Sequence, residues 1–231
     1  MSANLKVFCA GAVKAPLTVL AQTYERETGQ SIQFTFGAAG SLQARVVAGE
    51  PVDIVILTRP ALSQLESDGK LRPGTIADLG RVGVGIAVRA DAPSPDVSTP
   101  DALRKTLIAA KSLSYGDPAM GDSSGIHFAS VLTRLNIARE IDAKTILAPA
   151  GLGVVELVEN GSVEMGATQA SVILARKGVK LAGLLPADAQ HITTYSVAIV
   201  AAAAAVDAAE RFVAGLTTAS ARATFAKAGF D

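Results

Sequence analysis

The sequence predicts an α/β fold of two lobes, each a mostly parallel β-sheet flanked by helices, with a ligand cleft between the lobes. Short apolar runs alternate along the chain with amphipathic stretches at helical spacing, a pattern typical of α/β proteins. An apolar run near the C-terminus, residues 194–202, predicts a strand that returns to the first lobe. We therefore assign residues 1–80 and 194–231 to one lobe and residues 81–193 to the other.

Each predicted element has a local pattern that supports it. The first apolar run is continuous and ends in small residues, and the second is rich in β-branched and aromatic residues, as strands are. The predicted strands are residues 5–10, 31–36, 52–57, 83–89, 112–116, 163–168 and 194–202. The predicted helices are residues 15–28, 41–48, 60–67, 101–110, 123–135 and 154–159, with a closing pair within 207–228.

Composition excludes several functional classes. The 231 residues carry 21 Lys and Arg against 21 Asp and Glu, and only 4% are aromatic. A neutral chain with few aromatic side chains lacks the basic, stacking surface that nucleic acids need, so we predict no nucleic-acid partner. The alanine-rich run at 197–209 is too short for a membrane span of about 20 residues. Cys9 is the single cysteine, which excludes an intrachain disulfide and a cysteine-based zinc site.

Motifs for cofactor chemistry are absent from the sequence. No Gly-Lys-Ser/Thr phosphate loop, GxGxxG fingerprint, nucleophile elbow, HExxH pair or acidic cluster occurs. His127 and His191 are the only histidines, which excludes a site with three histidine ligands. We predict no cofactor and no bound metal.

The turns that follow predicted strands are the candidate binding positions. In open α/β sheets, ligands bind beyond the carboxyl ends of the strands. Small residues there let a ligand approach the backbone, and helix N-termini favour a negative group. The candidate ligand-binding residues are Gly11, Ala12, Val13, Lys14, Ala38, Ala39, Gly40, Ser41, Arg59, Ser123, Ser124, Gly125, His127 and Gln169. Each turn taken alone is more often an ordinary capped helix start, and only the five corresponding turns together favour a binding cleft.

Three of these residues are cationic or titratable. Lys14 and Arg59 follow predicted strands, and His127 lies one turn into a predicted helix. Alternatively, Lys14 and Arg59 are solvated surface residues, and His127 is hydrogen-bonded within its own surroundings. If at least two of them face the ligand, the site suits a carboxylate, which matches the planar fork of arginine.

At the same turns the chain resembles the molybdate-binding-protein family, which belongs to the type 2 periplasmic binding proteins. The similar segments include VFCAGA at 7–12, FGAAGSL at 36–42 and VAGEPVDIVIL at 47–57. Further similar segments are Asp117-Pro118 with Ser124-Gly125, NGSVEMG at 160–166, and Phe212 with AGF at 228–230. The resemblance covers nearly the whole chain and implies the two-lobed fold of that family.

The chain also departs from this family at its binding positions. Molybdate binders of the family usually place a serine where this chain has Ala12 and Val13, and aromatic residues near Gln169 and His127. Neutral donors hold the oxyanion in those proteins, so Lys14 and Arg59 favour a carboxylate instead. At a greater remove, the chain is similar to an aconitate isomerase built on the same scaffold.

These observations leave three functions open. The first is a protein that clamps a small organic carboxylate between its lobes without chemistry. The second is an organic-acid isomerase in which His127 moves the proton. The third is a component of an ABC transporter that binds molybdate or another oxyanion and acts with the membrane subunits. The N-terminus shows no basic segment followed by an apolar one, so we expect a cytoplasmic protein, or a periplasmic one if a leader has been removed.

Overall fold

The computed structural model describes residues 4–231, in which the chain forms nine β-strands and ten α-helices. The strands are β1 (Leu5–Ala10), β2 (Ile32–Gly37), β3 (Ile54–Thr58), β4 (Ala77–Arg89), β5 (Leu113–Gly116), β6 (Thr145–Ala148), β7 (Met165–Gln169), β8 (Val179–Leu184) and β9 (Ile192–Ile199). The helices are α1 (Lys14–Thr28), α2 (Ala39–Val47), α3 (Arg59–Ser67), α4 (Pro100–Ala109), α5 (Ser123–Arg134), α6 (Ala138–Asp142), α7 (Gly151–Glu159), α8 (Ala170–Leu174), α9 (Val206–Leu216) and α10 (Ala219–Lys227).

The chain folds as two units. The first unit holds the N-terminal part up to Arg81 together with Thr193–Asp231, and the second unit is Val82–Ile192. Strands β4 and β9 contain the two points at which the chain passes from one unit to the other.

In the first unit, the strand order is β2-β1-β3-β9-β4. Strand β1 is parallel to both β2 and β3, whereas β9 is antiparallel to β3. Val7, Phe8 and Cys9 of β1 are all buried, so both faces of this strand are covered. This two-sided burial explains why the strand has a continuous apolar sequence rather than an alternating one.

In the second unit, the strand order is β8-β4-β7-β5-β6. Strand β5 is parallel to β6 and β7, and β4 is antiparallel to β7 and β8. The core of this unit packs Phe128 of α5 and Leu103 of α4 against Leu113 of β5. Each unit therefore contains a set of parallel strands joined to antiparallel ones, which include the two crossing strands β4 and β9.

A buried aspartate ties the two chain segments of the first unit together. Asp53 precedes β3 and is only 5% exposed. One of its oxygens accepts the backbone N–H of Lys6 at 2.9 Å, and the other accepts those of Ala204 and Ala205 at 2.9 and 3.1 Å. Asp53 thus has a structural role in the segment 47–57, because its carboxylate satisfies three donors that no ladder partner takes.

None of the helices within the described residues combines the length and apolarity that a bilayer crossing requires. The longest, α1, has 15 residues and exposes several polar side chains.

We expect the Asp53→Asn variant to lose about 1–3 kcal/mol of unfolding free energy. The amide N–H₂ group would face at least one backbone N–H, leaving donors unsatisfied in a buried place. Urea unfolding monitored by circular dichroism measures this change as a lower midpoint at unchanged slope. Asp91→Asn is the matched control, because Asp91 is 73% exposed in a surface pair with Arg89 and should change stability by about 1 kcal/mol at most. Equal stability of the two variants would contradict the anchoring role.

Candidate functional site

The helix starts of the first unit gather at one edge of its sheet. Strands β2, β1 and β3 are adjacent and parallel, so their carboxyl ends lie at the same edge, called here the carboxyl edge. A 3-10 turn, Gly11–Val13, leads from β1 into α1. Ala38 leads from β2 into α2, and Arg59 opens α3 directly after β3. The turns at 11–14, 38–41 and 58–59 are therefore brought together.

These three helix starts share a chemical property. The cap residues Val13, Ala38 and Thr58 make no side-chain hydrogen bond to the first turn of α1, α2 or α3. Backbone N–H groups and the positive ends of the helix dipoles thus point to one edge, where they favour an anion. Helix α2 begins at Ala39, two residues before the predicted start, which places Gly40 and Ser41 inside its first turn.

Lys14 adds a positive charge at this edge. It is the first residue of α1, is exposed, and holds its Nζ 5.2 Å from the centre of the Phe36 ring. Phe36 stacks in turn on Phe34, with ring centres 5.3 Å apart. A lysine at the positive end of a helix is electrostatically unfavourable unless a negative group is near, and its placement is consistent with an anion at this edge.

Arg59 lies at the same edge and is held by an aspartate of β4. Its Nη1 donates to Oδ1 of Asp78 at 2.8 Å, and the two side chains are 46% and 54% exposed. The hydroxyl of the buried Ser196 on β9 donates to the same oxygen at 2.6 Å. The Ser196 hydrogen bond, followed by the Arg59 guanidinium, holds the pKa of Asp78 below its ordinary value, against the opposing effect of burial.

The second unit has a carboxyl edge of its own. Strands β7, β5 and β6 are adjacent and parallel, and α8, α5 and α7 begin near their ends. Asp122, which is 7% exposed, caps α5. Its Oδ1 accepts the N–H of Gly125 at 2.8 Å and the hydroxyl of Ser124 at 2.6 Å, and its Oδ2 accepts the N–H of Gly151 at 3.1 Å. Asp122 thus joins the start of α5 to the start of α7.

This arrangement gives two of the predicted residues a structural part. The Ser124 hydroxyl is committed to Asp122 and is 2% exposed, so it faces the cap and not the solvent. Gly125 packs so closely on Gly116 of β5 that a Cβ atom would lie 1.7 Å from the Gly116 carbonyl oxygen. Ser123 is half-buried at the first position of α5.

Sequence reasoning missed part of this second edge. Strand β6 was not predicted, so the start of α7 at Gly151 was not recognised as a neighbour of the other helix starts. Gln169 ends β7 and is 2% exposed. The preceding Thr168 has a buried hydroxyl with no hydrogen-bond partner among residues 4–231. This hydroxyl oxygen lies beside Gly151, in the space that a Cβ atom at that position would need. The small residues at 149–151, after a short apolar run, were the available indication.

His127 is half-buried on α5 and bonds to a neighbouring segment. Its Nε2 lies 2.7 Å from the carbonyl oxygen of Ala189, and its ring centre is 5.1 Å from that of His191. A carbonyl only accepts, so Nε2 carries the proton and Nδ1 is the basic atom. Burial, chiefly, lowers the pKa of His127 from its ordinary value, with the Ala189 hydrogen bond opposing.

Within residues 4–231, no group of three or more His, Cys, Asp or Glu side chains is arranged to hold a metal ion. Cys9 is fully buried, its thiol donates to the Ala10 carbonyl, and burial raises its pKa well above the ordinary value. A thiol in that state is a poor nucleophile and metal ligand.

We expect Gly125→Ala to destabilise the chain by about 1–3 kcal/mol or more, because the new Cβ must displace the end of β5. Gly215→Ala is the control, since a Cβ at this position in α9 meets nothing within 4 Å. That variant should gain up to about 1 kcal/mol from the better helix propensity of alanine. Thermal unfolding of both variants measures the difference, and an unaffected Gly125→Ala protein would contradict the close contact.

Comparison with known proteins places the chain in a family. It matches the family of bacterial extracellular solute-binding proteins over residues 5–231. The aconitate isomerase of Pseudomonas sp. is 33% identical over 205 residues, which cover 85% of this chain and 76% of the isomerase.

Solved structures agree in fold. The periplasmic molybdate-binding protein of Azotobacter vinelandii superposes with a TM-score of 0.83 at 20% identity, covering 99% of each chain. L-phospholactate-bound PEB3 superposes with a TM-score of 0.72 at 17% identity, covering 98% of this chain and 99% of that one. The predicted two-lobed type 2 periplasmic-binding-protein fold and the resemblance to molybdate-binding proteins are both confirmed. This chain therefore belongs to the bacterial extracellular solute-binding protein family.

Proposed function

We propose that this chain is a binding protein whose ligand is a small organic carboxylate. The observation that carries the proposal is the carboxyl edge of the first unit, where α1, α2 and α3 begin without a side-chain cap beside Lys14 and Arg59. The helix starts favour any anion, whereas a guanidinium fork is matched in shape to a carboxylate.

The similar proteins support an anionic ligand, and one of them is an enzyme named for an organic acid. Membership of the family supports solute binding. The similar structures include a molybdate-binding protein and PEB3 with bound L-phospholactate. The 33% identical isomerase is named for aconitate, a polycarboxylate. Lys14 and Arg59 support a carboxylate over molybdate, because the resemblance to molybdate-binding proteins implies neutral donors for molybdate.

Calorimetric titration of the full chain tests the ligand class. Trans-aconitate and citrate should bind saturably, and molybdate and sulfate should bind more weakly. Tight binding of molybdate without binding of any carboxylate would overturn the proposal and favour the oxyanion component of an ABC transporter.

Two variants test the residues of the edge. Arg59→Gln and Lys14→Met should each weaken carboxylate binding about tenfold or more, because a charge-assisted hydrogen bond contributes about 1.5–3 kcal/mol and about 1.4 kcal/mol is tenfold in affinity. Arg139→Gln and Lys105→Met are the matched controls, since both are exposed cations of the second unit. Equal losses in the controls would show that net charge, and not this edge, determines binding.

A second candidate function, an organic-acid isomerase, is favoured by the identity to aconitate isomerase over 85% of the chain. Such an enzyme abstracts and returns a proton, for which Nδ1 of His127 is the candidate base. Lowering of the pKa by burial keeps this atom unprotonated at neutral pH.

Incubation with trans-aconitate, followed by NMR, tests for a shift of the double bond. If the chain is an isomerase, we expect turnover in the wild type and in His191→Ala, and none in His127→Ala. Turnover should persist as the pH falls to the ordinary histidine range and decline only below it, because the base is lost when the lowered pKa is passed. Saturable binding without turnover would leave the chain a binding protein, which, if exported, would serve the membrane subunits of a transporter.

A further inference from the structure

Arg59 engages its aspartate in a way that differs from two other arginines of the same unit. Arg45 donates to Glu50 through Nε and Nη2, and Arg81 donates to Asp231 through the same two nitrogens. Those pairs use the side edge of the guanidinium, which binds both oxygens of a carboxylate. Arg59 instead donates to Asp78 through Nη1 alone.

The contact with Asp78 thus leaves the carboxylate-binding edge of Arg59 unused. A guanidinium has five N–H donors, and among residues 4–231 the Arg59 group has no protein partner other than Asp78. Its side chain is 46% exposed, and Nε and Nη2 are among the donors that Asp78 does not occupy. In this chain that edge is the one by which arginines take both oxygens of a carboxylate.

Asp78 is well placed to hold a side chain still. Its Oδ1 receives the Ser196 hydroxyl at 2.6 Å, and Ser196 is fully buried in β9. The residue itself lies in β4, next to β9 in the sheet. Asp78, which accepts from Nη1 of Arg59, is therefore held through two strands, β4 and β9. Arg59 is the longer and more flexible side chain of the pair. An isolated half-exposed ion pair adds little stability, so a role in orientation explains it better than one in folding.

We propose that Asp78 is a positioning residue, which holds Arg59 by Nη1 so that Nε and Nη2 bind both oxygens of a ligand carboxylate. This inference rests on the proposed carboxylate-binding function and makes it more specific. The ligand class is a small acid with one carboxylate free to lie in the plane of the guanidinium. Asp78 does not touch the ligand in this arrangement and acts only through Arg59.

The test compares Asp78→Asn with Asp78→Ala in trans-aconitate titrations. Both variants remove the charge, but asparagine keeps an oxygen that accepts from Nη1 and from Ser196, whereas alanine keeps none. Because neither variant carries the negative charge of Asp78, repulsion of the anionic ligand is removed in both. A difference between their affinities therefore reports the orientation of Arg59. We expect Asp78→Ala to bind about three- to tenfold more weakly than Asp78→Asn, the usual cost of immobilising one long side chain.

Repeating the comparison with Arg59→Gln completes a double-mutant cycle. In that background the two Asp78 variants should bind equally, because no guanidinium remains to be positioned. Equal binding with Arg59 present, or a ratio that persists without it, would overturn the inference. Matching unfolding temperatures of the two Asp78 variants would exclude an indirect effect of stability.

Arginine side-chain NMR on the ligand-free protein gives an independent readout. Rotation of the Arg59 guanidinium should be slow in the wild type and in Asp78→Asn, and faster in Asp78→Ala. Equal rotation in all three would overturn the positioning role. If the wild type binds no trans-aconitate, the proposed function fails instead. In that case slow rotation of the Arg59 guanidinium in the wild type would still support its positioning by Asp78.

Discussion

The arrangement of parallel strands with helical returns is the constraint on which the rest of the structure depends. Strands that run in one direction must end at one edge, and the helix that follows each strand must begin there. In the first unit this brings the starts of α1, α2 and α3 together, and in the second unit those of α5, α7 and α8. An edge at which helix starts favour an anion thus follows from topology before any particular side chain is considered.

Three aspartates show how surroundings give one side chain different tasks. Asp53 and Asp122 are buried, and each accepts three donors from segments far apart along the chain. Asp122 joins the helix starts at the carboxyl edge of the second unit, whereas Asp53 holds the backbone at the opposite, amino ends of β1 and β3. The loss of either carboxylate leaves donors without partners. Asp78 is half-exposed and accepts from two side chains, so it orients a group and contributes little to the fold.

Sequence patterns predicted the strands that are buried on both sides and the edge strand β2, but missed two other edge strands, β6 and β8. Strand β6 exposes Ile146 by 46% and Leu147 by 45%, and β8 exposes Leu184 by 49%. Such strands lack the long, fully buried apolar run, and their pairing partners are distant in the sequence. Helices α2 and α7 begin earlier than predicted, because alanine and glycine in their first turns carry no apolar periodicity and no capping side chain.

The sequence by itself determined the α/β class, the family resemblance and the turns at which small residues and cations follow buried strands. The tertiary structure alone decided which partner each of these side chains has. Arg59 meets Asp78 from 19 residues away, Asp78 meets Ser196 across 118, and His127 meets Ala189 across 62. Local patterns record whether a residue is buried or ends a strand, but a contact between distant residues exists only after the chain has packed, so no spacing in the sequence could show it.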